Sequence, residues 1–305
     1  MKTTLKRIES HLPMAYAVCL WVSILFSDFK ANAQRPNMPI NLTAEDTAAF
    51  PHAPEGFDKR NNAVPKGKTD SSVQYKSSTV GTMRKLRIYT PPGYSANKKY
   101  PVLYLLHGIG GNEKEWYKYS EPDAILDNLY AENKIVPMIV VFPNGRAMVH
   151  DEDTGNIFAQ DKVKAFANFE NDLLNDVIPY VESHYPVIKD MNSRAIAGYS
   201  MGGGQSLDFG LGHLDVFAWI GGFSSAPNTK KPEELVPDPV AAAQKIKLLY
   251  LSCGTKDGLM GISQGVHRYL KEHNVPHIWN VNPGGEHNMA VWVNDLYHFS
   301  QRIFR

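Results

Sequence analysis

Residues Gly198 to Gly202 form a G-x-S-x-G pentapeptide in which Ser200 has the surroundings of a nucleophile. The apolar run RAIAGY comes before the serine, and the stretch MGGGQSL, which has the features of a helix start, follows it. At a strand-to-helix junction this pattern predicts a nucleophile elbow, a tight turn that lifts the serine hydroxyl above a sheet. A plain tight turn also matches the pentapeptide, so the prediction depends on the flanking strand and helix.

A serine nucleophile needs a base, and the base needs an acid that orients it. Asp257 follows the apolar run KLLYLSCG, and His287 lies in the glycine-rich stretch PGGEHNMAVW. Both positions follow buried strands, where loops meet at the carboxyl edge of a parallel sheet, and their order after Ser200 suits the α/β-hydrolase fold. We therefore predict a triad of Ser200, Asp257 and His287. The competing acids are Asp208, Asp215 and Asp295, and the competing bases are His213, His267, His273, His277 and His298.

Two backbone N–H groups must stabilise the negative charge that develops on the attacked carbonyl oxygen. The predicted donors are the amides of Met201, which follows the nucleophile, and of Ile109, in the glycine-rich loop HGIGG after an early strand. Taken alone, that loop is equally typical of a flexible turn. Trp116, a few residues further on, is a candidate to stack on an aromatic acyl group, with simple packing in the core as the alternative.

Short apolar runs alternate with helical patterns along most of the chain, which predicts an α/β fold with a mostly parallel central sheet flanked by helices. Phe166, Phe169, Leu173, Val177 and Val181 recur at helical spacing and predict a crossover helix. Further helices are predicted over 201–211, 263–273 and 290–304. The predicted strands are KLRIYT, PVLYLLHG, PMIVVFPNG, RAIAGYS, FAWIGGFS, KLLYLSCG and HIWNVNPG.

The first 33 residues differ in character from the rest of the chain. A basic start and an apolar run that ends at Phe26 precede Ala31-Asn32-Ala33, which predicts a signal peptide cleaved after Ala33 and a secreted or periplasmic protein. The apolar run is too short for a membrane anchor, since spanning a bilayer takes about 20 residues. Residues 34–70 have no sustained apolar period and are predicted to be a loosely packed extension, and residues 71–305 form the predicted catalytic domain.

The composition argues against several classes of partner. The chain has 305 residues, 43% of them hydrophobic, and a formal net charge of +1 without blocks of like charge. We therefore expect no nucleic-acid partner and no membrane partner after signal cleavage. The stretch HDEDTGN departs from a calcium loop in the position of Gly155 and lacks a suitably spaced glutamate, so we expect neither a metal nor another cofactor.

The stretches around these residues resemble the esterase D group, and more narrowly carbohydrate esterase family 1, which includes feruloyl esterase domains attached to xylanases. The resemblance runs from about Gly56 to the end of the chain. It implies Ser200 as nucleophile, His287 as base, Asp257 as its acid, and the amides of Ile109 and Met201 as the oxyanion hole. It also implies hydrolysis of feruloyl or acetyl esters on arabinoxylan. Glu286 and Asn288 depart from the Gly-His-Asp that relatives commonly carry around the histidine.

Other functions compatible with the same residues stay open at this level. Related folds transfer acyl groups between sugars or hydrolyse siderophore esters, and both activities would use the same triad. A non-catalytic carbohydrate-binding relative is a third alternative, although a pure binding protein has no use for a strained elbow. The acyl group, the polysaccharide and the oligomeric state are left open by the sequence.

Overall fold

An eight-stranded sheet organises the computed structural model, which describes residues 40–152 and 154–305. Its spatial order is β1-β2-β4-β3-β5-β6-β7-β8. The pairings of β1 with β2 and of β2 with β4 are antiparallel, and the others are parallel. The predicted signal peptide lies outside the described residues. The strands are β1 (Lys68–Lys76), β2 (Met83–Thr90), β3 (Val102–Leu106), β4 (Ile139–Pro143), β5 (Arg194–Tyr199), β6 (Trp219–Phe223), β7 (Leu248–Gly254) and β8 (Ile278–Asn282).

Helices connect the strands and cover both faces of the sheet. Alternate residues of β3 belong to two different apolar clusters: Tyr104 and Leu106 to one, Leu103 and Leu105 to the other. Because neighbouring side chains of a strand point to opposite faces, these clusters are the two layers of the core. The helices are α1 (Glu115–Tyr119), α2 (Pro122–Ala131), α3 (Gln160–Asp172), α4 (Ile178–His184), α5 (Met201–Gly212), α6 (Pro232–Leu235), α7 (Pro239–Lys245), α8 (Met260–Glu272) and α9 (Met289–Ser300).

The predicted layered α/β architecture is confirmed. Every residue of β3, β4, β5 and β6 is buried, which explains why these strands read as continuous apolar runs. The strand that the sequence did not predict is β1, at one edge of the sheet, where Val73 and Tyr75 alone are buried. None of the helices within the described residues is long and apolar enough to cross a membrane.

The predicted crossover helix is present but is not a regular α-helix throughout. A π-helical segment, Leu173–Val177, lies between α3 and α4. Pro179 follows this segment by two residues. Proline has no N–H to donate and its ring clashes with the carbonyl one turn earlier, so a locally wider helix accommodates it. The helical path therefore continues past Pro179 to the end of α4.

The segment before β1 packs against the opposite edge of the sheet from β1. The Val281 N–H of the edge strand β8 donates to the Thr47 carbonyl oxygen at 3.1 Å. Asp46, only 8% exposed, accepts a hydrogen bond from Trp279 Nε1 at 3.0 Å. The Ala53 N–H donates to Asn294 Oδ1 at 2.8 Å. The expectation of loose packing is therefore wrong for residues 46–53, whose hydrogen bonds to distant parts of the chain have no counterpart in a sequence pattern.

Candidate active site

Ser200 occupies a strained turn between β5 and α5. Its backbone has φ 55° and ψ −121°, a conformation that favours glycine. The Ser200 N–H donates to the Phe223 carbonyl oxygen at 2.9 Å, and the Ser200 carbonyl accepts from the Ala226 N–H at 3.0 Å. Hydrogen bonds to the end of the neighbouring strand β6 thus hold the turn. Such strain typically costs about 1–3 kcal/mol and persists where the surroundings fix it.

The glycines around Ser200 are required by close contacts with backbone and side chains. A Cβ atom on Gly202 would lie 2.5 Å from the His107 carbonyl oxygen, and one on Gly203 would lie 2.8 Å from the Phe223 carbonyl oxygen. On Gly204 it would lie 2.6 Å from the Asn228 side chain. A methyl group does not fit against the backbone at Gly202 and Gly203, and at Gly204 the Asn228 side chain would have to move. The first turn of α5 therefore tolerates the low helix propensity of glycine because it presses against the ends of β3 and β6.

The side chains of Ser200, His287 and Asp257 form a continuous hydrogen-bonded chain. His287 Nε2 lies 2.9 Å from Ser200 Oγ, and His287 Nδ1 lies 2.8 Å from Asp257 Oδ2. The carboxylate can only accept, which assigns the proton to Nδ1 and leaves Nε2 free to accept from the hydroxyl. The structure thus brings together the three residues that the sequence singled out from three separate loops.

Asp257 is completely buried, but its hydrogen-bond partners favour the ionised carboxylate. Burial alone would raise its pKa, but the hydrogen bond and charge of His287, the Leu259 N–H at 2.8 Å from Oδ1, and the nearby Ser224 hydroxyl together hold the pKa below its usual value. An ionised Asp257 can stabilise positive charge on His287.

Ser224 is a residue near the site that the sequence reasoning missed. It is fully buried at the end of β6 and, like Ser200, has a positive φ, here 46°. Its hydroxyl contributes to lowering the pKa of Asp257. The signal available in the sequence was its position directly after the apolar run FAWIGGF, at the same sheet edge as Ser200.

Aromatic rings support the imidazole of His287. The ring of Trp292 contacts it edge to face, with centroids 4.9 Å apart. Trp292 in turn stacks on Tyr199, the residue before the nucleophile, at 4.0 Å with 9° between the planes. The His287 side chain keeps 32% of its surface exposed, so the base is fixed on one side and accessible on the other. Asn288, one of the departures from the pattern of relatives, is the N-cap of α9 and accepts a hydrogen bond from the Val291 N–H.

The loop that carries Ile109 lies directly against the elbow. A Cβ atom on Gly108 would approach Ser200 Cβ to 3.3 Å. Met201 is the first residue of α5, and the first N–H groups of a helix have no acceptor within it. The two predicted oxyanion-hole residues therefore lie close to Ser200, Met201 directly after it and Ile109 in the loop that packs against it. The positive end of the α5 dipole adds to the attraction for negative charge.

A small apolar cluster, separate from the two layers of the core, adjoins the nucleophile. It comprises Phe166, Met201 and Ala226, with the partly buried Ile109 and Leu259 packed against it. Ile109 comes from the predicted oxyanion loop, and Leu259 follows Asp257 by two residues. The cluster gives the surroundings of Ser200 an apolar side, which suits the acyl part of an ester better than its sugar part.

Trp116, the predicted stacking residue, packs in the core instead. It is only 1% exposed. Its Nε1 donates to the Leu106 carbonyl oxygen at 3.1 Å, and its ring contacts Tyr199 edge to face at 5.0 Å. The prediction of substrate contact is therefore wrong, because the indole is buried between the end of β3 and the elbow and contacts both.

Within 40–152 and 154–305, no group of three or more His, Cys, Asp or Glu side chains is placed to hold a metal ion. The cysteine among these described residues is Cys253, which is buried in β7 and forms no disulfide. Its thiol pKa is raised well above the usual value, first by burial and then by the charge of Asp257.

The mostly parallel sheet with a serine on the strand-to-helix elbow defines the α/β-hydrolase fold. The model of the Esterase family matches residues 77–301, and the chain belongs to that family. This confirms the resemblance on which the sequence-based prediction relied.

Relatives with described activities lie in the same group. An endo-1,4-beta-xylanase/feruloyl esterase of Xylanibacter ruminicola is 33% identical over 238 residues, which cover 76% of this chain and 31% of the relative. The chain therefore spans about a third of the length of that relative. A CE1 ferulic acid esterase of Anaeromyces mucronatus, solved in complex with ferulic acid, is 26% identical with a TM-score of 0.74, covering 87% of this chain and 98% of that one. An S-formylglutathione hydrolase of Staphylococcus aureus, at 22% identity and a TM-score of 0.61 over 78% of this chain and 100% of that one, shares the fold.

Proposed function

We propose that this protein is a secreted serine carboxylesterase that hydrolyses feruloyl or acetyl esters on xylan-type plant polysaccharide. The observation that carries the proposal is the hydrogen-bonded chain from Ser200 through His287 to Asp257, with distances of 2.9 and 2.8 Å, on a positive-φ elbow. Neutral serine is unreactive, and this arrangement provides both the base and the acid that orients it.

In the first half of the proposed reaction, Ser200 Oγ attacks the ester carbonyl carbon while its proton passes to His287 Nε2. The Ile109 and Met201 N–H groups stabilise the negative charge on the former carbonyl oxygen. When the carbon–oxygen bond to the sugar breaks, the leaving oxygen takes the proton from His287. The sugar hydroxyl departs and the acyl group stays on Ser200.

In the second half, a water molecule attacks the acyl-serine and gives its proton to His287. Collapse of the second tetrahedral intermediate returns that proton to Ser200 Oγ and releases the carboxylic acid. Asp257 remains ionised in both halves and stabilises the imidazolium each time. The reaction consumes one water and needs no group beyond these side chains and amides.

The choice of substrate rests on two independent supports. The apolar cluster at Ser200 suits an acyl group of low polarity, and one of the relatives is an endo-1,4-beta-xylanase/feruloyl esterase. The proposed secretion rests on the predicted signal peptide. Such a location agrees with a polymeric substrate that cannot enter a cell.

Replacing Ser200 with alanine tests the proposal. Ser200→Ala should lower turnover of both methyl ferulate and 4-nitrophenyl acetate by at least about 10³-fold, because the nucleophile is lost. Ser263→Ala, which removes another fully buried serine hydroxyl on α8, serves as the matched control and should retain the wild-type rate. Circular dichroism checks that both variants are folded. Persistent hydrolysis of either ester by Ser200→Ala would reject the proposed mechanism.

The acyl preference is tested by comparing kcat/KM for methyl ferulate, methyl sinapate and acetylated xylan. A feruloyl esterase should favour methyl ferulate over the acetylated polymer by at least tenfold. A preference in the other direction would keep the serine mechanism and assign the protein to acetylxylan hydrolysis.

Product analysis with an added sugar acceptor detects acyl transfer, which would replace hydrolysis as the assigned reaction if ester products dominate.

A further inference from the structure

A hydrogen-bonded chain connects the elbow helix α5 to the loop that carries Ile109, and His107 is at its centre. We propose that His107 is a positioning residue that fixes the Gly108–Ile109 peptide, so that the Ile109 N–H faces the oxygen of the substrate carbonyl. Gly145 and Gln205 hold the His107 ring in turn. The inference rests on the proposed function, because it assigns a role within that oxyanion hole.

Both ring nitrogens of His107 are engaged by the backbone. Nδ1 lies 2.7 Å from the Gly108 carbonyl oxygen, and Nε2 lies 2.8 Å from the Gly145 nitrogen. A carbonyl can only accept and an amide N–H can only donate, so the proton is on Nδ1 and Nε2 accepts. The side chain is also buried, with the residue only 1% exposed. His107 therefore has neither a free nitrogen nor the access needed to act on the substrate directly.

The short bond from His107 Nδ1, with a longer one from the Gly111 N–H at 3.3 Å, sets the direction of the Gly108 carbonyl and so of the neighbouring amide. The Gly108 carbonyl and the Ile109 N–H belong to one peptide plane, and in a trans peptide these two groups point in opposite directions. A carbonyl drawn towards the imidazole therefore turns the Ile109 N–H away from it. Gly108 itself lies against Ser200, since a Cβ atom built on it would be 3.3 Å from Ser200 Cβ.

Gln205 joins this arrangement to the helix that supplies the second amide. Its Nε2 donates to the Gly145 carbonyl oxygen at 2.9 Å and to the Phe166 carbonyl oxygen at 2.7 Å. Gln205 lies one turn after Met201 on α5 and is 1% exposed. The amides of Ile109 and Met201, which come from distant parts of the sequence, are thus tied to one rigid frame. Preorganised donors stabilise a developing charge more than donors that must first reorient.

The chain of bonds requires a neutral imidazole. Burial, together with the guanidinium groups of Arg146 and Arg84, lowers the pKa of His107 to about 4 despite the raising effect of hydrogen bonds with Gly108 and Asn144. The ring therefore keeps one donor and one acceptor at neutral pH. It should contribute no ionisation of its own to the pH dependence of hydrolysis near neutrality.

The test compares His107→Leu, which removes both hydrogen bonds, with His107→Asn, whose amide can still donate to the Gly108 carbonyl. His298→Leu is the matched control, since His298 is another buried histidine, on α9, and contacts Phe50 instead of the site. Ser200→Ala is measured in parallel. The readouts are kcat and KM for methyl ferulate, inhibition by a trifluoromethyl ketone that forms a tetrahedral adduct with serine, and inhibition by the product ferulate.

We expect His107→Leu to lower kcat by roughly 10–100-fold with KM within about twofold, because a misdirected donor loses part of the 10²–10³-fold effect of a whole oxyanion-hole donor. Inhibition by the trifluoromethyl ketone should weaken in parallel, and inhibition by ferulate should not change. His107→Asn should recover most of the loss, and His298→Leu should keep the wild-type kcat when folded.

Several results would overturn the positioning role. One is a wild-type kcat for His107→Leu, another is an equal kcat loss for His107→Leu and His107→Asn, and a third is loss of ferulate inhibition in proportion to kcat. If His107→Leu does not fold, Gln205→Met breaks the same chain one bond further away and should give the same selective loss of kcat. Activity retained by Ser200→Ala would instead reject the proposed function, which separates the two failures.

Discussion

Asp257 illustrates how a single buried residue at the site depends on its partners. Its carboxylate has no exposed surface, and an isolated charge there would be costly. Hydrogen bonds from the His287 ring and the Leu259 N–H offset that cost and keep the pKa low. Asp295, a competing acid in the sequence, is equally buried, but burial raises its pKa to about 7 against the hydrogen bonds from Ser252, Asn282, Tyr250 and Asn280. Two buried aspartates thus have pKa values shifted in opposite directions, and the charge of His287 acts on Asp257 only.

This contrast predicts different effects of the same substitution at the two positions. Asp257→Asn should lower kcat by roughly 10³–10⁴-fold, because an amide favours the wrong tautomer of His287 and cannot stabilise its positive charge. Asp295→Asn is the matched control and should keep kcat within about threefold, since Asp295 accepts hydrogen bonds from Tyr250, Asn280 and Asn282 and not from His287. Steady-state kinetics with methyl ferulate at pH 7 measures both. Equal effects would remove the special role of Asp257.

The sequence predicted those site residues whose positions follow from strand ends. Ser200, Asp257 and His287 each come directly after a recognisable buried strand, so topology alone brings them to one edge. Trp116 was assigned wrongly because its burial depends on two partners that no local pattern indicates. Tyr199 is distant in sequence, and the Leu106 carbonyl is a backbone group that any residue carries. Ser224 and Gln205 escaped prediction for the same reason: their roles arise from contacts that no local pattern encodes.

At the scale of elements, the first turn of α5 is closely packed against the end of β3. Gly202→Ala should destabilise the protein by roughly 2–4 kcal/mol and lower activity, since the added methyl would lie 2.5 Å from the His107 carbonyl oxygen. Gly265→Ala on α8 is the matched control, because nothing lies within 4 Å of its Cβ position. That change should stabilise by about 0.5–1 kcal/mol through helix propensity. Urea denaturation measures both, and a tolerated Gly202→Ala would contradict the close packing.

The π-helical segment contains a carboxylate whose contribution to the stability of the protein should depend on pH. Asp176 in this segment accepts hydrogen bonds from the backbone N–H and hydroxyl groups of both Ser78 and Thr79, in the turn between β1 and β2. Although burial raises its pKa, these bonds outweigh it and lower the pKa to about 2. The stability that they provide should be complete above the unfolded pKa of about 4 and should be lost as pH falls towards 2.

Asp176→Asn therefore should cost about 1–2 kcal/mol at pH 7, because the amide loses the charge and one of its accepting oxygens. The difference from wild type should shrink to near zero at pH 2–2.5. Urea midpoints at several pH values measure it, with Asp238→Asn as the control. Asp238 is the N-cap of α7, where asparagine caps equally well, so that variant should stay within about 0.5 kcal/mol of wild type. A difference that is independent of pH would show that the Asp176 charge does not matter.

The elements that the sequence predicted are those with a continuous apolar run or a sustained helical period. Strands β2 to β8 and the helices α5, α8 and α9 lie where apolar runs or helical periods indicated. By contrast, α1, α6 and α7 have only five, four and seven residues, too few for a periodic pattern to stand out. The edge strand β1 carries serine, aspartate and lysine and buries little, so its pairing with β2 defines it more than its composition does.

At the scale of the whole molecule, residues 40–66 contribute to stability from outside the sheet. A chain that begins at Gly67 should have a free energy of unfolding about 3–5 kcal/mol lower than that of a chain that begins at Pro39. The reason is that the burial of Ala53 and the hydrogen bonds to Trp279 and Asn294 are lost. Chemical denaturation followed by tryptophan fluorescence measures the difference. Equal stability would mean that the segment only rests on the surface.

The bond between the Val281 N–H and the Thr47 carbonyl has a further consequence. Strand β8 ends the sheet, and an uncovered row of backbone donors and acceptors at such a position is a template for strands of other molecules. Proteolytic removal of residues 40–66, which include Thr47, should therefore promote self-association through β8. By this argument, residues 40–66 protect the edge strand β8 from aggregation as well as stabilise the fold.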